Sequence, residues 1–381
     1  MSVTDSQPLS NSTWDPLLNH TDNNNNTGPP LSIQDFYSDN APVGVAVDRM
    51  ITPVFYLIGL PCNPLCAFIW LGRQTRRNNS SAVYLGALSI SHTIFLPLHF
   101  FVVELNYAWG IKTFDGYVWC EVFFTLYYCP QYLAPLLVLG FTVERYIAIC
   151  HPFVKEKYCT VCRAVWVVVL LLLFSLALSS VQAYLWTYDP EIGGCNHRLE
   201  VRDTKFPSLW TWVTELIVFG VAPLAALVFN VLVIREIRSL TTRGPAIVMP
   251  GSGHNQAQTV TLLTVSFYLV CTWLPATLVY SLEREFPFGD GPTLDSDAWR
   301  RHFTYYTVRK FVEEVTLSNS ACYFFIYYLT GKHFRDRVKD ILCPRNCKMC
   351  PRSSSARNQD AKKYIAVPGK ADNGHTCVTN V

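Results

Sequence analysis

The residues with the most chemistry to offer lie where charge is costly. One apolar stretch, 303–329, carries Arg309, Lys310, Glu313 and Glu314. Glu104 and Glu215 sit in other apolar stretches, and Glu144-Arg145-Tyr146 closes a further one. An ionised side chain away from water must be paired, hydrogen-bonded or solvated. Carboxylates in apolar surroundings suit a cation, and aromatics such as Tyr127, Tyr128 and Tyr280 suit the cation or its apolar flank. Hydrolytic chemistry has no pattern here. There is no His-Glu-x-x-His zinc motif and no Gly-x-Ser-x-Gly nucleophile turn, so no enzyme is expected. Cys343, Cys347 and Cys350 cluster near the C-terminus, but no fourth ligand stands at metal-site spacing. Neither a metal nor a cofactor is expected.

The elements that must position these groups are membrane spans. The chain has 381 residues, of which 50% are hydrophobic and 15% charged, against about a quarter charged in soluble domains. Seven apolar blocks run near 50–71, 82–104, 118–147, 164–186, 208–234, 257–282 and 303–329. Each is close to the roughly 20 residues that cross a bilayer as a helix. The expected fold is an all-α seven-transmembrane bundle over 49–330. The seventh block is the weakest by hydropathy, because of its four charges.

Lys and Arg set the orientation. Arg73, Arg76 and Arg77 follow block one, and Lys155, Lys157 and Arg163 follow block three. Arg235, Arg238 and Arg243 follow block five, and Lys332, Arg335, Arg337 and Lys339 follow block seven. These loops share one side, assigned to the cytosol. The opposite side then receives residues 1–48, a polar segment with six Asp and no Lys or Arg. It is expected to be a disordered extracellular tail, glycosylated at the sequons of Asn11, Asn19 and Asn25. The opening MSVTDSQPLS has neither a basic n-region nor an apolar h-region, so block one is expected to act as an uncleaved insertion signal. A multi-pass plasma-membrane protein follows, with the lipid bilayer as its solvent and no role for nucleic acid. A transporter or channel is the alternative, although no internal repeat supports it.

Block three begins Trp119-Cys120 and ends Glu144-Arg145-Tyr146, followed by Ile147-Ala148-Ile149-Cys150-His151-Pro152. Block six holds Cys271-Thr272-Trp273-Leu274-Pro275, block one Gly59-Leu60-Pro61-Cys62-Asn63, block four Trp166, and block five Pro223. Leu329-Thr330-Gly331-Lys332-His333-Phe334-Arg335 follows block seven. In this order, the marks resemble the rhodopsin-like G-protein-coupled receptors over roughly residues 50–343. The resemblance implies a disulfide between Cys120 and Cys195 and G-protein coupling through Glu144, Arg145, Tyr146 and Tyr327. It also implies an activation hinge at Trp273, Pro275 and Pro223. The implied partners are an extracellular ligand, a heterotrimeric G protein and an arrestin.

Block two ends Leu88-Ser89-Ile90-Ser91-His92, where the family usually has Asp last. Block seven reads Tyr323-Phe324-Phe325-Ile326-Tyr327 in place of Asn-Pro-x-x-Tyr. His92 and Tyr323 thus replace two residues that usually help hold a central sodium ion. Neutral imidazole lacks the anionic oxygen that a hard cation favours, so sodium sensitivity is expected to be lost. His92 is expected to bond Asn319 or Ser320.

Tyr127 stands where amine receptors carry Asp, and Leu317 where opsins carry their retinal Lys, which disfavours amines and light. Glu104, Tyr127, Tyr128, Gln131, Glu215, Tyr280, Arg309 and Glu313 are the expected ligand-binding residues. Glu215 and Glu313 suit a peptide that carries Arg, unless they pair with Arg309 or Lys310 instead. The stretches 319–335 and 230–235 resemble invertebrate neuropeptide receptors of the FMRFamide type.

Phe334, Val338, Ile341 and Leu342 share one helical face opposite Lys and Arg, an interfacial pattern over 331–343. Cys343 at its end suits palmitoylation. Within the cytosolic tail, 344–381, Ser353, Ser354 and Ser355 suit phosphorylation. Thr379-Asn380-Val381 suits a PDZ scaffold that captures the carboxylate.

Overall fold

The computed structural model describes residues 33–77, 79–109, 111, 116–190, 194–202, 204–242, 252–287 and 296–342. Seven long helical spans form one bundle. The first is Pro42–Leu71, and the second is Ser81–His99 continued by a π-helical stretch, Phe100–Ala108. The third is Tyr117–Cys150 and the fourth Val161–Leu185. The fifth is built from Phe206–Glu215, a π-helical turn Leu216–Val221, and Ala222–Thr242. The sixth is Ser252–Ser281 and the seventh Asp297–Thr330. A last helix, Lys332–Leu342, follows.

Six of the spans are long and apolar enough to cross a membrane by length and composition. The seventh misses that measure for a physical reason: it buries Arg309, Glu313 and Glu314 inside the bundle. Its outer half is shielded by protein rather than by apolar composition.

The third span is the axis of the core. Tyr127, Tyr132, Leu137, Val138 and Phe141 on it are completely buried. The fourth span is the reverse, with Val165, Trp166, Leu170 and Leu173 exposed, as expected of a helix facing lipid. The first and seventh spans meet closely at Gly59. A Cβ there would lie 3.3 Å from the Ala321 Cα and 2.4 Å from a methyl of Leu96. One turn on, Asn63 Nδ2 donates to the Ser320 carbonyl at 2.6 Å and to the Gly59 carbonyl at 3.0 Å.

Outside the bundle, Trp186–Asp189 (β1) and Gly194–His197 (β2) pair antiparallel, with Tyr188 opposite Cys195. Cys195 is joined to Cys120 at the head of the third span, with Cα atoms 5.4 Å apart. The hairpin is therefore pinned over the bundle. Trp186 stacks on Phe124 with ring centroids 4.1 Å apart.

Helix also occurs nearer the N-terminus than the sequence implies. Residues 1–48 read as a disordered tail, yet Ile33–Asn40 is helical and the first span starts at Pro42. Phe36 and Tyr37 pack with Trp299 and Phe303 of the seventh span. A polar segment orders here because it shields aromatics at the end of a neighbouring helix. Asn11, Asn19 and Asn25 lie outside the described residues, as do Cys343 and the 344–381 tail. In the last helix, Phe334 and Val338 are buried, Phe334 against Trp70 and Tyr327, whereas Ile341 and Leu342 stay exposed.

Candidate functional site

The outer half of the bundle holds a ladder of charge on the seventh span. Residues three and four apart on a helix share a face, and Glu313 uses both spacings. Its Oε1 accepts from Arg309 Nε at 3.0 Å, and its Oε2 lies 3.2 Å from Lys310 Nζ. Lys310 reaches Asp48 on the first span at 3.4 Å, and Arg309 reaches Glu283 beyond the sixth span at 3.2 Å. The Arg309 guanidinium also lies over the Tyr280 ring, 5.3 Å from its centroid. Glu313 is therefore no unpaired pocket carboxylate: its own helix holds both oxygens, and the Tyr280 hydroxyl of the sixth span also donates to Oε1 at 3.4 Å. The neighbouring Glu314 turns to the first span, where Thr52 Oγ1 donates to it at 2.5 Å.

Glu215 differs. It ends the first segment of the fifth span, at the start of the π-helical turn. Its Oε1 is buried and has no hydrogen-bond partner among the described residues. The Tyr132 phenol lies near Glu215, Thr214 and Gln182, and Gln182 Nε2 also lacks a partner. Glu104, on the second span, accepts from Trp109 Nε1 at 2.8 Å. Tyr127 and Tyr128 are buried on the third span, packed edge to face at 5.4 Å.

Below this level stands the expected hinge. Trp273 is buried and stacks on Phe219 with centroids 4.2 Å apart and planes 5° from parallel. Pro223 has no N–H to return to the Phe219 carbonyl, and Thr277 of the sixth span donates to that carbonyl at 2.8 Å. The two prolines' helices are thus tied by one hydroxyl beside the Trp273–Phe219 stack.

At the midplane, Tyr323 donates to Asn319 Oδ1 at 2.9 Å, and Asn319 Nδ2 donates to the Thr272 hydroxyl and to the Thr316 carbonyl at 3.2 Å. Asn319 is thereby committed to the sixth span and to Tyr323. His92 bonds neither Asn319 nor Ser320, contrary to expectation. It stacks on Tyr323 at 5.4 Å, and its Nδ1 has no partner among the described residues. Tyr323 has displaced it by taking the Asn319 oxygen.

At the opposite end of the bundle, Glu144 and Arg145 both turn to the head of the second span. Glu144 accepts from Ser80 and, at 3.4 Å, from Ser81. Arg145 donates to the Ser81 hydroxyl. Tyr146 packs on Phe229 at 5.2 Å. Tyr327 is fully buried beside Trp70, 5.3 Å away.

Residues 64–327 match the seven-transmembrane receptors of the rhodopsin family. The chain belongs to that family. Its relatives include the proteinase-activated receptor 1 of Xenopus laevis, 23% identical over 195 residues, which are 50% of this chain and 45% of that one. The proteinase-activated receptor 2 of Bos taurus is 22% identical over 312 residues, 80% of this chain and 73% of its own. The thyrotropin-releasing hormone receptor of Gallus gallus is 28% identical over 170 residues, 44% of this chain and 40% of its own. The chain spans about half the length of the proteinase-activated receptors 1 and 3 that it matches.

Several groups of this rhodopsin-family receptor escape a reading by sequence. Asp48 falls in a segment assigned to the tail, and only the first span's start at Pro42 brings it to Lys310. Ser80 and Ser81 look like an ordinary loop and helix start, and only the fold brings them under Glu144. Cys159, between the third and fourth spans, donates its thiol to the Glu144 carbonyl at 3.6 Å, and partial burial pushes that thiol up from its ordinary value.

Proposed function

We propose that this receptor binds an extracellular peptide and, through its cytosolic face, activates a heterotrimeric G protein. The observation that carries the ligand class is the contrast between two carboxylates. Glu313 is neutralised by Arg309 and Lys310, whereas Glu215 retains a buried oxygen without a partner. A carboxylate left so is costly, and a charged donor from outside relieves it. An Arg or Lys side chain of a peptide supplies such a donor, and Tyr128 and Tyr132 offer apolar and cation–π surface beside it. Glu104, Tyr127, Gln131, Tyr280, Arg309 and Glu313 complete the proposed contact set, the last two as a pre-paired wall.

The relatives' names fit a protein signal: one group is proteinase-activated and another answers to thyrotropin-releasing hormone. Within peptides, the FMRFamide type remains the class that the resemblance of 319–335 favours. Trp273, Pro275 and Pro223 are the proposed hinge, and Glu144, Arg145, Tyr146 and Tyr327 the proposed coupling face. An agonist need only prefer the conformer that opens this face. Plasma-membrane residence with the N-terminus outside belongs to the same reading. So do glycans at Asn11, Asn19 and Asn25, palmitate at Cys343, arrestin recruitment, and a PDZ scaffold at Thr379-Asn380-Val381.

The test is a peptide-library screen on expressing cells, with calcium and cyclic AMP read together. Glu215→Gln is expected to lower the potency of any active peptide by about tenfold or more, the worth of one charge-assisted bond. An unchanged potency rejects the assigned contact. A membrane current or solute flux without nucleotide exchange on a G protein rejects the receptor function itself.

A further inference from the structure

The midplane contains a small cavity of about 20 Å³ lined by His92, Gln131, Trp273, Thr316, Asn319 and Tyr323, among others. Two of its walls carry unmet hydrogen-bonding capacity. His92 is 3% exposed with its Nδ1 unpartnered among the described residues, and Gln131 is 4% exposed with its Oε1 unpartnered. An orphaned buried polar atom is expensive, and one on each side of the same cavity marks a place for a guest.

The donor set decides what the guest is. The family implies a sodium ion at this depth. A hard monovalent cation asks for several oxygens and a balancing negative charge. No carboxylate lines the cavity. The Asn319 oxygen already accepts from Tyr323, and the Asn319 amide is turned to Thr272 and Thr316. The ring of Tyr323, stacked on His92, fills space beside the imidazole. The residues present do not fit sodium.

They fit a neutral molecule that offers hydrogen. A water needs about 10–15 Å³ and two or more polar partners, so a cavity of about 20 Å³ between these two groups takes one. Its two O–H groups match an imidazole nitrogen and an amide oxygen. We propose that this cavity binds a single water bridging His92 and Gln131, and that the bridge, not a cation, joins the second and third spans beneath Trp273. The bridge is insensitive to salt identity, because a neutral molecule forms it and no carboxylate lines the cavity to attract a cation.

The 381-residue chain in lipid nanodiscs tests this without any ligand. Thermal unfolding is measured in sodium chloride and in choline chloride at equal ionic strength. Equal midpoints are expected, and a sodium-specific rise overturns the proposal. His92→Phe, Gln131→Met and the double variant are then compared. With a bridging water, each single change strands the other partner and lowers the midpoint by about 2–4 °C, while the double variant loses less than the sum. In a dry cavity, each single change removes an orphan, so singles that raise the midpoint, or losses that simply add, overturn it. Should His92→Phe fail to fold, the sodium comparison on the native chain and Gln131→Met alone still decide.

Discussion

Arg309 Nε and Glu313 Oε1 meet at 3.0 Å, one turn apart on the seventh span, both 3% exposed. The pair places two charges out of water inside the bundle, with Lys310 and Glu283 as their charged neighbours. Breaking such a pair by removing one partner is far worse than replacing both, because the survivor stays buried and unmatched. Glu313→Leu is expected to destabilise the purified receptor by about 3 kcal/mol, toward the lower end for a buried pair, since Glu283 and Asp48 still hold Arg309 and Lys310. The double change Arg309→Met/Glu313→Leu is expected to cost less than Glu313→Leu alone. Thermal unfolding in detergent measures both, and a double variant at the sum of the singles shows the pair to be uncoupled.

The bond from Cys120 to Cys195 closes a separation of 75 residues. Loops of this length lose much denatured-state freedom when closed. Cys120→Ala is expected to cost about 2–5 kcal/mol and to reduce the fraction of receptor reaching the cell surface. Surface labelling against total protein reads the loss. A variant with normal surface fraction and unfolding midpoint shows the hairpin to be held by Trp186 packing instead.

The spans and their order were legible because hydropathy and the flanking Lys and Arg act over whole segments, which no single contact overrides; the disulfide was legible only through the family resemblance around Trp119-Cys120. The seventh span was legible despite four charges because its apolar residues still repeat around them. What escaped depends on side chains meeting across helices. Glu215 and Glu313 look alike in sequence, two carboxylates in apolar blocks. Only Glu313 has cations one turn before it on the same face, and that spacing was readable. That Glu215 lacks such company follows from the packing of the third, fourth and fifth spans, which periodicity does not report. His92 was readable as a departure, but its fate turned on Tyr323 reaching Asn319 first.

His197, in β2 of the hairpin outside the bundle, packs on Trp186 with ring centroids 4.3 Å apart and planes tilted by 31°. Burial holds its pKa below the ordinary 6.5, and Arg202 adds to the effect. The unfolded chain therefore takes up the proton first, so stability is full above about 6.5 and falls as the pH drops below it. The native receptor is expected to lose more of its unfolding midpoint between about pH 7.5 and about pH 5.5 than His197→Gln does. Identical pH profiles show that other groups set the acid sensitivity.

Arg145 donates to the Ser81 hydroxyl, and Ser81 with Ser80 also serves Glu144. Both serines come from the head of the second span, so this contact pins the end of the third span against the second. A guanidinium held so is drawn away from any partner that would dock at this end of the bundle. Ser81→Ala removes its acceptor and leaves Glu144 with Ser80 alone. A bond to a charged group is worth about 1.5–3 kcal/mol at most, and Arg145 recovers part of that from water. Basal nucleotide exchange on a G protein, measured with the receptor in nanodiscs and no ligand added, is expected to rise by about three- to tenfold in Ser81→Ala. Ser81→Thr keeps the hydroxyl and is expected to stay near the native level. If both substitutions raise exchange equally, crowding at the helix head and not the hydroxyl is responsible; if neither does, Arg145 is restrained elsewhere.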